Sequence, residues 1–146
     1  MEKDIKELLI VSLEKVHKSI EAAIDSIINA SGFDPFKVYT LREQEPYDAL
    51  TIRFSRAVEV CLKFFRTYEV YLFGESSDTI RDRLLKMEKI GLISNVDLWI
   101  NMRDVRNRVV HDYLPEEIKK TYNFITSLYC KELESLNNKV SDLKFE

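Results

Sequence analysis

The chain has 146 residues, of which 45% are apolar, with three glycines, three prolines and a formal net charge of -3. That length suits one domain with a single sizeable core, and the composition favours a globular, helix-rich domain and argues against disorder. The acidic balance excludes a global attraction to nucleic acid, so any RNA contact needs a local basic patch.

Residues 4–30 read as a long first helix. Ile5, Leu8, Leu9, Ser12, Val16, Ile20, Ala23, Ile24 and Ile27 recur at spacings of three and four. Asp4 is the expected N-cap, with Glu7 in the capping-box position, and Asn29, Ser31 and Gly32 stop the helix. Residues 33–45 form a connection marked by the turn signal Asp34-Pro35. A second helix is expected to begin near Pro46-Tyr47-Asp48 and to run to Gly74. Its inward stripe is Leu50, Phe54, Ala57, Val58, Cys61, Leu62, Phe65 and Tyr68.

Ser76 or Ser77 is the expected cap of a short third helix that ends at Gly91, with Ile80, Leu84, Met87 and Ile90 facing inward. Asn95 caps a fourth helix, VDLWINMRDVRNRVVH, whose stripe is Val96, Trp99, Met102, Val105 (or Arg106) and Val109. Pro115 opens a fifth, with Glu116 and Glu117 at its positive end. Ile118, Tyr122, Ile125, Leu128, Tyr129, Leu133 and Leu136 carry it almost to the C-terminus. There is no strand pattern and no repeat. The expected fold is all-α: one domain over residues 1–146, an antiparallel bundle of about five helices. The aromatic surface of the second and fifth helices can serve the core or a dimer interface.

Cys61 and Cys130 lie far apart within apolar helical patterns and read as free thiols in a reducing cytosol. With no C-x-x-C pair or Cys/His cluster, no metal is expected. The N-terminal MEKDIKELLIV turns polar again at Glu14 and Lys15, unlike a signal peptide, and no apolar run reaches a membrane-spanning length of about 18 residues. A cytoplasmic protein is expected.

The chemistry concentrates in RNRVVHDY, residues 106–113, which holds one of the two histidines. Arg106 and Tyr113 are seven residues apart and would share a helix face, whereas His111 stands about 140° round from Arg106. The three converge if the helix ends near His111, or if a second subunit completes the site. Arginine offers phosphate a planar fork of donors, histidine moves protons near neutral pH, and tyrosine can donate to phosphate or stack on a base. Such a set can assist attack by a ribose 2′-hydroxyl on its own phosphodiester, with His111 as general acid or base and Arg106 stabilising charge on phosphorus. One histidine per chain at this site makes two facing motifs attractive, because the cycle needs both an acid and a base. The plain alternative is a solvated helix end whose basic residues cap its carbonyls.

R-N-R-V-V-H-D-Y resembles the R-x-x-x-x-H-x-Y signature of the HEPN superfamily, in its HepT-like toxin branch. The helical FSRAVEVCLKFFRTYEVYLFG segment and the motif's place before Pro115-Glu116-Glu117 are similar to that family too. The resemblance implies a homodimer whose paired motifs form a metal-independent ribonuclease site without a cofactor. It implies pairing with a minimal nucleotidyltransferase as a toxin–antitoxin system, in some pairs with AMP transfer to the motif tyrosine. Carried over, Arg106 and His111 are the catalytic pair, Tyr113 the auxiliary or AMP-modified residue, and Asn107 a frequent neighbour of the arginine. Related proteins are described instead as substrate-binding partners of nucleotidyltransferases, which leaves a non-catalytic alternative.

Arg103 and Arg108 flank the motif as candidate RNA-phosphate contacts, Arg103 being one turn before Arg106; a salt bridge of Arg103 to Asp104 or Asp112 is the alternative. HEPN sites often borrow a polar group from an earlier helix, and Arg53, Arg56 and Glu59 are the candidates. His17 reads as a surface residue, Trp99 and Tyr122 as core, and Glu88, Glu132 and Glu134 as ordinary members of mixed-charge faces.

Overall fold

A computed structural model describes the backbone at residues 2–30, 32–111 and 115–145, and the side chains at 4–30, 32–105 and 116–145. The described residues are helical or in turns, with no strand among them. The order is α1 (Glu2–Asn29), α2 (Leu41–Phe73), α3 (Ile80–Lys89), α4 (Val96–His111), α5 (Pro115–Phe124), a π-helical turn (Ile125–Tyr129) and α6 (Cys130–Ser141). The last three elements follow one another without a gap, so the chain forms the expected bundle of five rods.

The central rod is α2, which packs against α1, α3 and α4, while α6 packs on α1. Side-chain pairs fix the directions. Tyr47 reaches the Gly32 carbonyl at 3.1 Å and Arg53 reaches Ser26 at 3.0 Å, so α1 and α2 run antiparallel. Tyr47 meets Tyr122, Phe54 meets Tyr129 and Tyr68 meets Phe145, so the last rod runs parallel to α2. Trp99 packs edge-on against Phe65 with ring centroids 5.0 Å apart, while Met102 shares a cleft with Ser55 and Val58, so α4 is antiparallel to α2.

The core holds the expected Leu9, Val16, Ile20, Leu50, Phe54, Cys61, Phe65, Leu84, Met87, Trp99, Met102, Val105, Ile125 and Leu133. Four expectations about local structure are corrected. The first helix starts at Glu2, so Asp4 lies inside it rather than capping it. The second starts at Leu41, ahead of Pro46, because Thr40 and Glu43 form a reciprocal capping box. Pro46 cannot donate to the carbonyl of Arg42, but Arg42 is exposed and water can satisfy that group. Thr79, whose hydroxyl accepts from the Asp82 N–H at 3.1 Å, caps α3 in place of Ser76 or Ser77. The long fifth helix is interrupted by a π-helical turn at Ile125–Tyr129, although its buried Tyr122, Ile125, Tyr129, Leu133 and Leu136 keep the spacing of three and four.

Some expected stripe positions face outward. Leu8 is 60% exposed and Leu128 48%, and Ile90 at the end of α3 is also exposed. One stop and one start fall as expected. Gly74 takes a left-handed conformation at φ 75° and returns its N–H to the Val70 carbonyl, and Asn95 caps α4 by accepting from the Leu98 N–H at 2.9 Å. Val109 and Arg106, the other stripe positions of α4, have side chains outside the described residues.

Candidate functional site

The backbone of α4 is helical through His111, and α5 opens at Pro115 and packs against α4. The expected break of the helix near His111 lies outside the described residues, since those between His111 and Pro115 are not described. Arg106 and His111 occupy positions about 140° apart round the axis. The side chains of Arg106, Asn107, Arg108 and His111, and Tyr113 and Asp112 altogether, lie outside the described residues.

One turn upstream the side chains are described. Ser55, Val58, Glu59 and Leu62 of α2 and Met102, Arg103 and Asp104 of α4 line a cleft of about 230 Å³. Ser55, Glu59 and Leu62 are spaced by four and three, so they share one face of α2. Arg103 and Asp104 stand side by side on this wall. Of the three polar candidates on α2, Glu59 lines this cleft. Arg53 turns instead to α1, donating to Ser26 and, at 3.4 Å, to Asp25.

Arg53 and Arg56 line a second groove with Lys15, Lys18, Ser19, Ala22 and Val60, about 340 Å³ in volume. Its floor is apolar and four cations rim it, so a chain of net charge -3 carries a locally basic face between α1 and α2. The helical step puts the two clefts roughly 120° apart round α2.

Ser55 is the residue that sequence reasoning passed over. It is 91% buried by its 9% relative exposure, and its hydroxyl has no hydrogen-bond partner among the described residues. A buried unpaired hydroxyl costs stability, so its position at the cleft calls for a reason. The signal was available: Ser55 is a polar residue inside the apolar stripe, four positions before Glu59.

Other polar residues prove structural. Glu132 is buried and accepts from Trp99 Nε1 at 2.7 Å and from the backbone N–H and hydroxyl of Ser94. It is thus no ordinary surface acid, contrary to expectation. Glu88 accepts from the Val96 N–H at 2.9 Å and supports the start of α4. Glu69 is fully buried; it accepts from Ser77, Arg83 and Lys86, which explains why Ser77 is not free to cap α3. Burial pushes the Glu69 carboxyl up, but these donors outweigh it and hold the group down at about 2. His17 is half-buried against α6 and bonds Asn137 at 2.5 Å, so it is not the surface residue expected. Trp99 and Tyr122 are core, as expected; Tyr122 packs with Phe33 and Tyr47. Both cysteines are free. Among the described residues no helix is long and apolar enough to cross a membrane.

Fold and site together define an all-helical bundle with a polar cleft beside an Arg/His motif at the end of its fourth helix. The chain belongs to the family described as nucleotidyltransferase substrate binding protein like, whose model matches residues 10–142. This is a HEPN-like all-helical family associated with nucleotidyltransferases. No curated protein matches the chain.

Proposed function

We propose that this chain works as the partner of a minimal nucleotidyltransferase and is a metal-independent endoribonuclease of a HEPN toxin–antitoxin pair. The observation that carries the reading is R-x-x-x-x-H-x-Y at residues 106–113 of the sequence, whose Arg106–His111 stretch continues α4 one turn beyond a cleft lined by Glu59, Arg103 and Asp104. The motif of a second copy completes the site. Neutral His111 of one copy takes the proton of the ribose 2′-hydroxyl as its oxygen bonds to phosphorus. The bond from phosphorus to the 5′-oxygen breaks, and protonated His111 of the second copy gives that oxygen a proton. Arg106 stabilises the charge on the phosphoryl oxygens, with Asn107 beside it. Arg103 and Arg108 hold neighbouring phosphates, and the Lys15, Lys18, Arg53 and Arg56 groove supplies a local basic face for the strand. Tyr113 is the AMP acceptor: its oxygen attacks the α-phosphorus of ATP on the nucleotidyltransferase, the phenol proton is lost and pyrophosphate leaves. The adduct adds bulk and negative charge where an RNA phosphate must bind.

The family's description favours a second reading, a non-catalytic protein that presents a substrate to the nucleotidyltransferase. RNA cleavage separates the two. The purified chain in EDTA is expected to leave 2′,3′-cyclic phosphate ends, and His111→Ala to abolish cleavage. Absence of cleavage, or cleavage that survives His111→Ala, removes the nuclease reading and leaves the substrate-binding one. Incubation with the nucleotidyltransferase and ATP is expected to raise the intact mass by one AMP, and Tyr113→Phe to prevent it. An unchanged mass removes the modification.

A further inference from the structure

The connection between α1 and α2 displays three large apolar side chains to solvent. Phe36 is 84% exposed, Val38 92% and Leu41 84%, close together in the chain. Single exposed apolar residues are ordinary, but three in so short a stretch gain nothing from folding and mark a contact surface. The segment that carries them is ordered by its own bonds. Asp34 accepts from the Phe36 N–H at 2.9 Å, and the Tyr39 hydroxyl accepts from the Asp34 N–H at 2.8 Å. Lys37 pairs with Glu43 at 2.6 Å and lies over the Tyr39 ring, and Glu43 closes the Thr40 capping box. Phe33 and Tyr39 stack on each other and pack against Tyr47, and Phe33 also meets Tyr122. The connection is thus anchored on α2 and α5, while Phe36, Val38 and Leu41 face outward.

This connection stands at the end of the bundle where α4 gives way to α5. Tyr47 meets Tyr122 and Phe54 meets Tyr129, so α2 and the last rod run in parallel with one constant offset in sequence. The same offset brings Pro115, the first residue of α5, level with Thr40, the cap of α2. We propose that Phe36, Val38 and Leu41 form the docking patch for the nucleotidyltransferase with which this family associates. The choice of partner rests on the reading in which that enzyme transfers AMP to Tyr113. Tyr113 lies two residues before Pro115 in the chain, so an enzyme acting on it has to seat itself at this end of the bundle. Size separates this partner from a second copy. A permanent homodimer buries about 2,000 Å² or more in total, whereas one aromatic side chain supplies about 150–250 Å². Three side chains hold a small, transient contact, which suits an enzyme that acts and leaves rather than the lasting pairing a composite site needs. The exposed Lys37, Arg42 and Glu43 stand beside these anchors and give the polar rim of such a contact. The bonds within the connection hold the anchors in place beforehand, which lowers the ordering cost of binding.

The test is calorimetric binding of the full chain to the purified nucleotidyltransferase of the pair, with sedimentation velocity of the chain alone beside it. Phe36→Ser, Val38→Ser and Leu41→Ser are each expected to weaken binding about fivefold or more, and the triple variant about 100-fold or more. All are expected to melt close to the parent's temperature, because the side chains they remove are exposed, and to sediment as the parent does. Leu8→Ser, at a 60% exposed position near the opposite end of α1, is expected to leave binding unchanged. No binding by the parent, unchanged affinity in the triple variant, or an equal loss with Leu8→Ser overturns the proposal. Loss of self-association in place of enzyme binding also overturns it and gives the patch to a second copy. AMP transfer keeps the two readings apart. Binding that depends on the patch, with an intact mass unchanged by ATP, removes the modification of Tyr113 alone. Transfer that proceeds equally in parent and triple variant at limiting enzyme removes the docking patch alone.

Discussion

Trp99 donates its indole N–H to Glu132 at 2.7 Å, tying α4 to α6 across 33 positions of sequence. Glu132 also accepts from the backbone N–H and hydroxyl of Ser94 at the turn that leads into α4, so one buried carboxylate holds the helix that carries the motif. Glu132→Ala leaves three donors unpaired and is expected to cost about 3 kcal/mol, whereas Trp99→Phe keeps the ring and loses one bond, at about 1–2 kcal/mol. Denaturant unfolding of both single variants and the double variant checks this. The double should cost less than the sum, because the two changes share a bond.

Glu69 makes stability depend on acid. Its carboxyl is lowered from about 4.5 to about 2 in the fold, because the donors of Ser77, Arg83 and Lys86 outweigh burial. A depressed carboxylate pKa gives stability that is full above the unfolded value and is lost as pH falls toward the folded one. Melting temperature is expected to drop between about pH 4.5 and 2. Glu69→Gln should be less stable at pH 7 and should flatten that part of the profile.

Burial predicts different costs for two stripe residues of the last rod. Ile125 is fully buried and Leu128 is 48% exposed. Ile125→Ala is expected to cost about 2–4 kcal/mol, and Leu128→Ala about 0.5 kcal/mol or less. Chemical denaturation separates them directly, and equal losses would contradict the inward placing of Ile125 and the outward placing of Leu128.

The thiols should differ in access. Burial pushes Cys61 far up. Cys130, raised by partial burial and then by Glu134, stands at about 11. Thiolate is the reactive form, so both should alkylate slowly in the native protein at neutral pH. Cys130 is expected to label first as pH rises, and Cys61 only on unfolding, as mass mapping of iodoacetamide adducts would show.

Periodicity made the helices legible because a bundle buries one stripe of each rod, and that stripe recurs every three to four residues. Leu9, Val16 and Ile20 were found this way, but so was Leu8, which shares the spacing and faces outward. Boundaries were less legible where two signals competed. Pro46 announced a start, yet the Thr40–Glu43 box satisfies more backbone donors and extends the helix back by more than a turn.

The candidate site divides similarly. RNRVVHDY could be singled out in the chain because its residue types and spacing sit in a short stretch. The cleft beside it could not, since Glu59 and Arg103 are joined only by the antiparallel packing of α2 on α4. Ser55 was passed over in the sequence, and only the fold shows its hydroxyl buried without a partner among the described residues.

By itself, the sequence determined the number of rods, their apolar faces, the stop at Gly74, the start at Asn95, and the Arg/His motif, because each is encoded within a turn or two of chain. Only tertiary structure decided which charges are buried and what stands beside the motif. Glu69 and Glu132 are tolerated inside because donors from distant segments meet them there, and that meeting depends on how the rods pack.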